Sequence, residues 1–448
     1  MSIRPGNMAI VVWGGGAMLL ATSWAFVPQY FMPTLLLYFL LVVAGTGDLI
    51  RGLQISTRIS VSMPESGNFI KHRHDVIRLN VKNADSHLKL EIAIDFPVQI
   101  EADSESIVIS TDPENNTLLV DYPCTARERG RTVINSVHFA SDSPLRLWRV
   151  FRVNNTPMQV KIYPDLRPEQ KRLAGFFLHR NIAGLTEMRQ IGKGREFEQL
   201  REYQSGDSFE DIHWKATARR ARPVTKMYQL ERTQEVYIII DQSRLSARIV
   251  GNHQKHMTFN TSHLERYIIA AQLLAQVAER QGDRVGIAAF SDQVNCFLRA
   301  SSGPAHHKAC REMLFDLQPL PENPDFEELF TFLRMHLRKR SLLIFLTHLD
   351  DPLFAAQFTD HVRILSSHHL VLTATLTPEN IRSITKTGEV QSLDQAYNAL
   401  SAHMQWRSLQ EIQKLLGHHG ITMGMMNHAT LTLELVERYM RIKKRQLL

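Results

Sequence analysis

Acidic and hydroxyl side chains follow several apolar runs in the C-terminal half of the chain, and they are the residues best suited to chemistry. Asp241 and Ser243 come directly after the run 237–240, and residues 347–351, which include Asp350, follow another. Where such runs are parallel strands, a ligand site is expected at their carboxyl ends. Loops rich in carboxylate and hydroxyl oxygens suit Mg²⁺, a hard cation that keeps part of its water shell.

A second candidate group is the triplet His213, Trp214 and Lys215. Together with Asp241, His213 and Lys215 could serve a metal-dependent hydrolase or phosphoesterase. A purely structural explanation is also open, in which Trp214 packs in the core and Lys215 pairs with Asp211 one helical turn earlier. Residues 192–194 lack the spacing and the following Ser or Thr of a phosphate-binding loop, so nucleotide hydrolysis is not indicated.

The segment that contains this triplet carries helix signals. Asp207 and Ser208 are each followed three residues later by an acidic residue, as in the N-terminal box of a helix. This spacing predicts a helix over 208–220, with Arg219 near its C-terminal end, where cations complement the helix dipole. Acidic and basic residues interleave over 187–232, which favours a protein interface, and nucleic-acid binding is not expected.

Two uncharged runs, 8–27 and 31–47, open the chain. About 20 apolar residues span a bilayer as a helix, and about 17 is the lower limit. The pattern predicts a two-helix transmembrane hairpin over residues 1–51, in preference to a cleaved signal peptide. Arg4 precedes the first run and Arg51 follows the second, so both ends are expected in the cytoplasm, at the inner (plasma) membrane.

Residues 52–165 change to short alternating runs broken by Asn, Asp, Gly, Pro and Ser. Seven such runs predict an antiparallel β-sandwich. After a linker and motif segment over 166–233, the region 234–448 alternates apolar strands with amphipathic helices. This order predicts a doubly wound α/β domain with a parallel sheet covered on both faces.

Composition sets wider limits. With 448 residues the chain has room for two or three domains. The net charge of +7 fits a cytoplasmic surface beside anionic lipid, and the bilayer is an expected partner. Three cysteines without CxxC spacing indicate neither a disulfide framework nor a zinc site. The twenty histidines are expected at the surface or at interfaces.

The blocks GKGREF, LREYQSGD, IHWKATAR and IIIDQS closely resemble, in order and spacing, the bacterial family known as domain of unknown function 58 (DUF58). The resemblance implies an immunoglobulin-like module, a C-terminal von Willebrand factor A-like domain, and a MoxR-type AAA+ ATPase as partner. The motif DSPLRLW resembles a turn of the same family, with Arg146 where a glycine is usual. The residues expected to form the signature and interaction site are Gly192, Gly194, Glu196, Phe197, Arg201, Tyr203, Gly206, Asp207, His213, Trp214, Lys215 and Arg219.

In von Willebrand type A domains, the loops at the strand ends form a metal-ion-dependent adhesion site. Judged by that resemblance, this chain keeps Asp241 and Ser243 but has Leu245, Pro324 and His348 where a serine, a threonine and an aspartate are usual. Three lost oxygen donors imply a degenerate site, with Mg²⁺ binding weak or absent. Asp241 is then expected to anchor its loop by accepting backbone N–H bonds.

Asp350 leaves two alternatives open. It could replace the missing carboxylate, or it and Asp351 could cap the following helix, which we favour. The sequence as a whole predicts a membrane-anchored, non-enzymatic interaction or assembly protein without a resident cofactor. The alternative is the metal-dependent hydrolase that uses the Asp241 loop.

Overall fold

The computed structural model describes residues 2–82, 89–110, 117–179, 191–204, 208–229, 234–250, 261–377, 381 and 393–444. The chain divides into two compact units, Met1–Asp165 and Leu166–Leu448. Each unit has its own apolar core and is described by itself.

The first unit opens with two helices, α1 (Asn7–Phe26) and α2 (Phe31–Arg58), joined by a 3₁₀ turn. Both are long and apolar enough to cross a membrane, judged by length and composition. The hydroxyl groups of Ser23 and Thr34 hydrogen-bond to each other across the pair at 2.8 Å. The second apolar run ends at residue 47, but α2 continues to Arg58.

Tertiary contacts explain why α2 extends beyond its apolar run. Asp48 is buried in the helix and accepts hydrogen bonds from the Ser143 hydroxyl and from the Leu145 N–H at 2.9 Å. The Trp148 indole donates to the Gly45 carbonyl at 2.8 Å. The end of the membrane-type helix is therefore fixed to the loop 143–148 of the strand region.

All seven predicted strand runs contain strands, but the run 132–139 divides into two at residues 135–136. The strands of this unit are β1 (Ser2–Pro5), β2 (Ser60–Ser62), β3 (Ser66–Ile70), β4 (His74–Lys82), β5 (Lys89–Ile94), β6 (Ile100–Ala102), β7 (Ile107–Ser110), β8 (Thr117–Ala126), β9 (Gly130–Ile134), β10 (Val137–Asp142), β11 (Trp148–Asn154) and β12 (Met158–Tyr163). They form sheets of order β1-β11-β10-β5-β7, β2-β4-β8-β6 and β3-β12-β9.

The prediction of purely antiparallel pairing is wrong for one pair, because β12 runs parallel to β3. These strands are far apart in sequence, so no short hairpin turn imposes an antiparallel direction on them. In the loop between β10 and β11, Arg146 has φ of +55°. This left-handed backbone conformation favours glycine, the residue usual in the turn that DSPLRLW resembles.

The second unit contains a six-stranded sheet of order β19-β18-β15-β20-β21-β22. All neighbouring pairs are parallel except β18 and β19. Its elements are α3 (Arg167–His179), β13 (Ile191–Glu202), α4 (Trp214–Arg220), β14 (Val224–Gln229), β15 (Glu235–Asp241), β16 (Ile249–Val250), β17 (Thr261–Ser262), α5 (His263–Arg280), β18 (Arg284–Phe290), β19 (Val294–Ser301), α6 (Pro304–Asp316), α7 (Phe326–His336), β20 (Leu342–Leu346), α8 (Pro352–Ser366), β21 (Leu370–Leu376), α9 (Leu393–His418), β22 (Thr422–Met426) and α10 (Leu431–Lys444).

Each face of this sheet packs against helices. Side chains alternate along a strand, so Val236 and Ile238 of β15 enter one core with α5, α6 and α10, and Tyr237 and Ile239 enter the other with α7, α8 and α9. The apolar runs of the sequence are buried for this reason. The loops after β15 and β20, which carry Asp241 and His348, meet at the carboxyl edge because these two strands are parallel neighbours.

Candidate functional site

Asp241 ends β15 and is fully buried. One carboxylate oxygen accepts the Ser243 N–H at 2.9 Å, and the other accepts the Thr347 hydroxyl at 2.7 Å. Burial raises the pKa of Asp241, and hydrogen bonds from Ser243 and Thr347 oppose that rise. Both oxygens thus hold the loops after β15 and β20 together, in agreement with the anchoring role expected for this carboxylate.

The loop after Asp241 forms a 3₁₀ turn over Arg244–Ala247. Ser243 is fully buried, and Leu245 is also buried and adds no oxygen donor. One residue later, the Ser246 hydroxyl donates to the Ser243 carbonyl at 2.8 Å. Sequence comparison with the adhesion-site pattern did not single out Ser246, whose hydroxyl stabilises the turn.

Pro324 lies just before α7, at the position where the resemblance places a threonine. The neighbouring Asp325 caps α7 by accepting the Glu328 N–H at 3.1 Å, and its own N–H donates to the Ser291 carbonyl at 2.8 Å. This segment therefore closes against the loop after β18 through its backbone.

Asp350 and Asp351 have different roles. Asp351 accepts the Leu353 N–H at 2.9 Å and caps α8, as predicted. Asp350 forms an ion pair with Arg248, so its predicted role as a cap is wrong. Arg248 lies about a hundred residues away in sequence, and only the fold brings it to this carboxylate.

His348 belongs to a buried histidine cluster formed by His263, His348 and His428. The rings of His263 and His348 stack with centroids 4.6 Å apart and their nitrogens are in contact, while His428 lies 5.0 Å from His263. All three imidazoles are at least nine-tenths buried. The expectation of surface histidines is wrong here, because no sequence signal links residues at the start of α5, after β20 and before α10.

The pKa of His263 is lowered to about 4, chiefly by burial and then by the nearby Arg248, while Asp350 opposes the shift. The pKa of His348 is held well below its ordinary value by burial and then by His263. Tyr267 lies against the same cluster and donates its hydroxyl to the Thr347 carbonyl at 3.1 Å. At neutral pH His263 and His348 are therefore uncharged.

The donor set at this edge of the sheet does not fit Mg²⁺. Asp241 is engaged on both oxygens and Asp350 is paired with Arg248. His348 offers nitrogen, which suits softer metals. Within the described part of the chain, no three His, Cys, Asp or Glu side chains converge on a point that could hold a metal ion. The weakness of Mg²⁺ binding remains a prediction.

The signature segment forms a two-stranded antiparallel sheet of β13 and β14, and α4 lies between the two strands in sequence. Gly192, Gly194, Glu196 and Phe197 lie on β13, where Glu196 pairs with Gln229 and Phe197 with Tyr228 in the backbone register. Gly206 and Asp207 lie outside the described residues. The sheet pairs the GKGREF block with β14, which follows α4 in sequence.

Arg201 and Tyr203, two further signature residues, lie at the end of this sheet. Arg201 pairs with Thr225 in the register, and its side chain contacts Gln204. The Tyr203 N–H donates to the Pro223 carbonyl at 2.9 Å, and the ring of Tyr203 lies 6.1 Å from that of Phe209.

The helix predicted over 208–220 begins only at Trp214. Residues 209–211 form a single 3₁₀ turn, and Ile212 then makes a β-bridge with Thr225. Because this bridge keeps the backbone extended, the capping residue is His213, whose Nδ1 accepts the Ala216 N–H at 3.0 Å. The acidic residues predicted to form the N-terminal box therefore lie before the helix.

Trp214 is 69% exposed, which corrects the interpretation that it packs in the core. Ile212 takes the buried position beside β14 instead, and Trp214 points outward from the first turn of α4. Lys215 and Arg219 are also exposed. Among the described residues, Lys215 has no ion pair, so the predicted pairing with Asp211 is not formed. We call Trp214, Lys215 and Arg219 the α4 face.

Comparison with known proteins finds a match to one protein family. Residues 199–405 match the family described as "Protein of unknown function DUF58", and no curated protein matches the sequence. An aerotolerance-related membrane protein from Bacteroides fragilis NCTC 9343, with multiple mutations to serines, has 13% identity and a TM-score of 0.30 over 47% of this chain and 99% of its own. BatB from Bacteroides thetaiotaomicron has 11% identity and a TM-score of 0.30 over the same shares. The SpRpn10 VWA domain has 10% identity and a TM-score of 0.27 over 46% of this chain and 95% of its own.

The matched residues include the α4 face, the Asp241 loop and the His348 loop, while Gly192, Gly194, Glu196 and Phe197 lie just before them. The chain is thus similar to the DUF58 family over residues 199–405.

Proposed function

We propose that this protein is a membrane-anchored, non-enzymatic interaction or assembly protein whose α4 face docks a partner protein. The observation that carries the proposal is the 69% exposure of Trp214 within the family segment. A large exposed aromatic beside cations is typical of the centre of a protein interface, where Trp and Arg are enriched.

The loops after β15 and β20 support a role other than catalysis. Asp241 and His348 are buried, and the carboxylates of Asp241 and Asp350 are engaged by internal partners. A hydrolase that used the Asp241 loop would require these contacts to open before substrate or metal could reach the carboxylate.

The proposed architecture follows the sequence expectations. The two apolar helices anchor the chain in the inner membrane, an immunoglobulin-like sandwich follows, and a doubly wound, von Willebrand factor A-like domain presents the α4 face. Pairing of β1, before the hairpin, with β11, after it, supports both ends of the hairpin on one side, which we take as the cytoplasm. The resemblance implies a MoxR-type AAA+ ATPase as partner.

Affinity capture of the full chain from native membranes tests the proposal. We expect a MoxR-type AAA+ ATPase to be recovered with the wild type and with Leu353→Ala, a control at another exposed apolar residue, and to be lost with Trp214→Ala. Recovery of a different protein that depends on Trp214 would keep the docking role and reject this partner. Equal recovery with wild type and Trp214→Ala would reject the α4 face as the docking surface.

Cysteine labelling tests the orientation. Val98 is 89% exposed in the strand region, so Val98→Cys should react with a membrane-impermeant reagent only after the inner membrane is permeabilised. Labelling in cells whose inner membrane is intact would place the strand region outside the cytoplasm and would contradict a cytoplasmic ATPase partner.

A further inference from the structure

Helix α9 has apolar residues on two opposite faces. One face carries Ala402, Leu409 and Leu416, which are buried in the core beneath the sheet. The other carries four residues spaced by four, three and four positions, which places them on one side of a helix with 3.6 residues per turn. We call these four residues the α9 stripe: Leu393 (77% exposed), Tyr397 (69%), Leu400 (57%) and Met404 (65%).

The composition of α9 matches that of a covered surface. Residues 395–406 contain no Asp, Glu, Lys or Arg. A helix that is apolar on both sides is ordinarily buried on both, and charged residues are depleted at the centres of protein interfaces, whereas Tyr and Met are enriched. The exposed fractions show that the described residues of the second unit leave the stripe open.

We infer that the α9 stripe binds the same stripe of a second copy of this chain, in antiparallel direction about a two-fold axis at Met404. Beyond Met404, the same side of α9 continues with Ser408, Glu411 and Leu415, at spacings that mirror those before it. An antiparallel copy therefore places Met404 against itself and Leu393 against Leu415 of the second copy. A two-fold contact of this kind uses one surface twice and closes at a dimer.

Polar groups complement one another in the same arrangement. Tyr397 lies opposite Glu411 of the second copy, so its hydroxyl can donate to that carboxylate. Glu411 is held at 3.2 Å by Arg407 on its own helix, which keeps the carboxylate on this side of α9. The contact extends from Leu393 to Leu415, about 33 Å along the helix.

The charges on α9 favour a protein over a lipid surface as the occupant. Helices that lie on anionic membranes carry Lys and Arg along their polar side. The charged residues of α9 are instead Asp394, Arg407, Glu411 and Lys414, two of each sign. The inference goes beyond the proposed function, because the α9 stripe is separate in sequence from the α4 face and needs no second protein species.

Disulfide cross-linking of the full chain in detergent tests the two-fold axis. A side chain on the axis meets its own copy, so Met404→Cys should give a covalent dimer on mild oxidation. Gln410→Cys, exposed on a different side of α9, is the matched control and should give no covalent dimer, and neither should the wild type with its three native cysteines. Equal cross-linking at Gln410→Cys would indicate random collision and overturn the inference.

The direction of the two helices is tested by a pair of variants. Leu393→Cys alone should not cross-link, whereas a mixture of Leu393→Cys and Leu415→Cys should give the mixed dimer. Efficient cross-linking of Leu393→Cys with itself would indicate parallel helices and reject the arrangement. Without any cysteine change, light scattering should report a dimer that Leu400→Glu converts to a monomer. A monomeric wild type would overturn the inference.

Discussion

The strand-end loops and the α4 face lie in the same segment that matches the family, yet their side chains differ in burial. In the loops, the polar residues Asp241, Thr347 and His348 are buried and bonded to each other or to neighbouring loops. On the α4 face, the apolar Trp214 is exposed beside cations. Asp241 and His348, which stand at candidate metal-site positions, have partners within the protein. Trp214, which was expected in the core, is exposed.

This difference bears on how function is assigned. A buried carboxylate that accepts two hydrogen bonds stabilises its loops and has no lone pair directed to solvent. An exposed indole that contributes little to folding needs another explanation, and binding is the usual one. Four measurements test whether the buried loops stabilise the fold and whether the α4 face is free to bind.

Replacing Asp241 should have the largest effect. Asp241→Ala leaves the Ser243 N–H and the Thr347 hydroxyl without an acceptor in a buried site, so the free energy of unfolding should fall by about 2–5 kcal/mol. Denaturant unfolding of the detergent-solubilised chain measures it. The control Asp351→Ala removes an accessible helix cap and should cost about 1 kcal/mol. Equal, small losses in both variants would contradict a structural role for Asp241.

Acid should destabilise the second unit through the histidine cluster. The pKa of His263 is about 4 in the folded chain, against an ordinary value of 6.5, so the unfolded chain binds the proton more readily. Stability from neutral His263 is present above pH 6.5 and is lost as the pH falls toward 4, by about 3 kcal/mol in total. The free energy of unfolding should depend less steeply on pH in His263→Gln than in the wild type. Identical slopes would contradict this assignment.

The α4 face should contribute little to folding. Trp214→Ala removes an exposed side chain, so the free energy of unfolding should change by less than about 0.5 kcal/mol. Leu245→Ala, at a buried position of the strand-end loops, should cost about 2–5 kcal/mol and is the matched comparison. A large loss of stability in Trp214→Ala would show that the indole packs against the protein and would remove the main support for docking.

Magnesium should have the smallest effect. The carboxylates of Asp241 and Asp350 are engaged, and Leu245 supplies no oxygen, so titration calorimetry of the full chain should detect no binding of Mg²⁺ at micromolar concentrations. Micromolar binding that disappears in Asp241→Ala would reverse this expectation and would favour the metal-dependent hydrolase.

The sequence determined the order and type of most elements, because apolar periodicity is set locally. The amphipathic pattern over 431–444 predicts a helix and the apolar runs 284–290 and 370–376 predict strands, and the structure has these elements with the same limits. One helix, α9, stands where the pattern over 394–416 predicts more than one helix. Strands β1, β3 and β6 were missed because short edge strands lack a distinctive pattern. The seven-residue β11, which lies between β1 and β10, was also missed. Helix α2 extends beyond its apolar run because Asp48 finds buried partners.

The tertiary structure alone determines which polar side chains have partners within the protein and which apolar side chains remain exposed. The ion pair of Arg248 with Asp350 and the stacking of His263 on His348 join positions far apart in sequence, and no local spacing encodes them. The exposure of Trp214 follows from the β-bridge of Ile212 with Thr225, which delays the start of α4. Side-chain types are a property of the sequence, but burial and partnership depend on which distant segments the fold brings together.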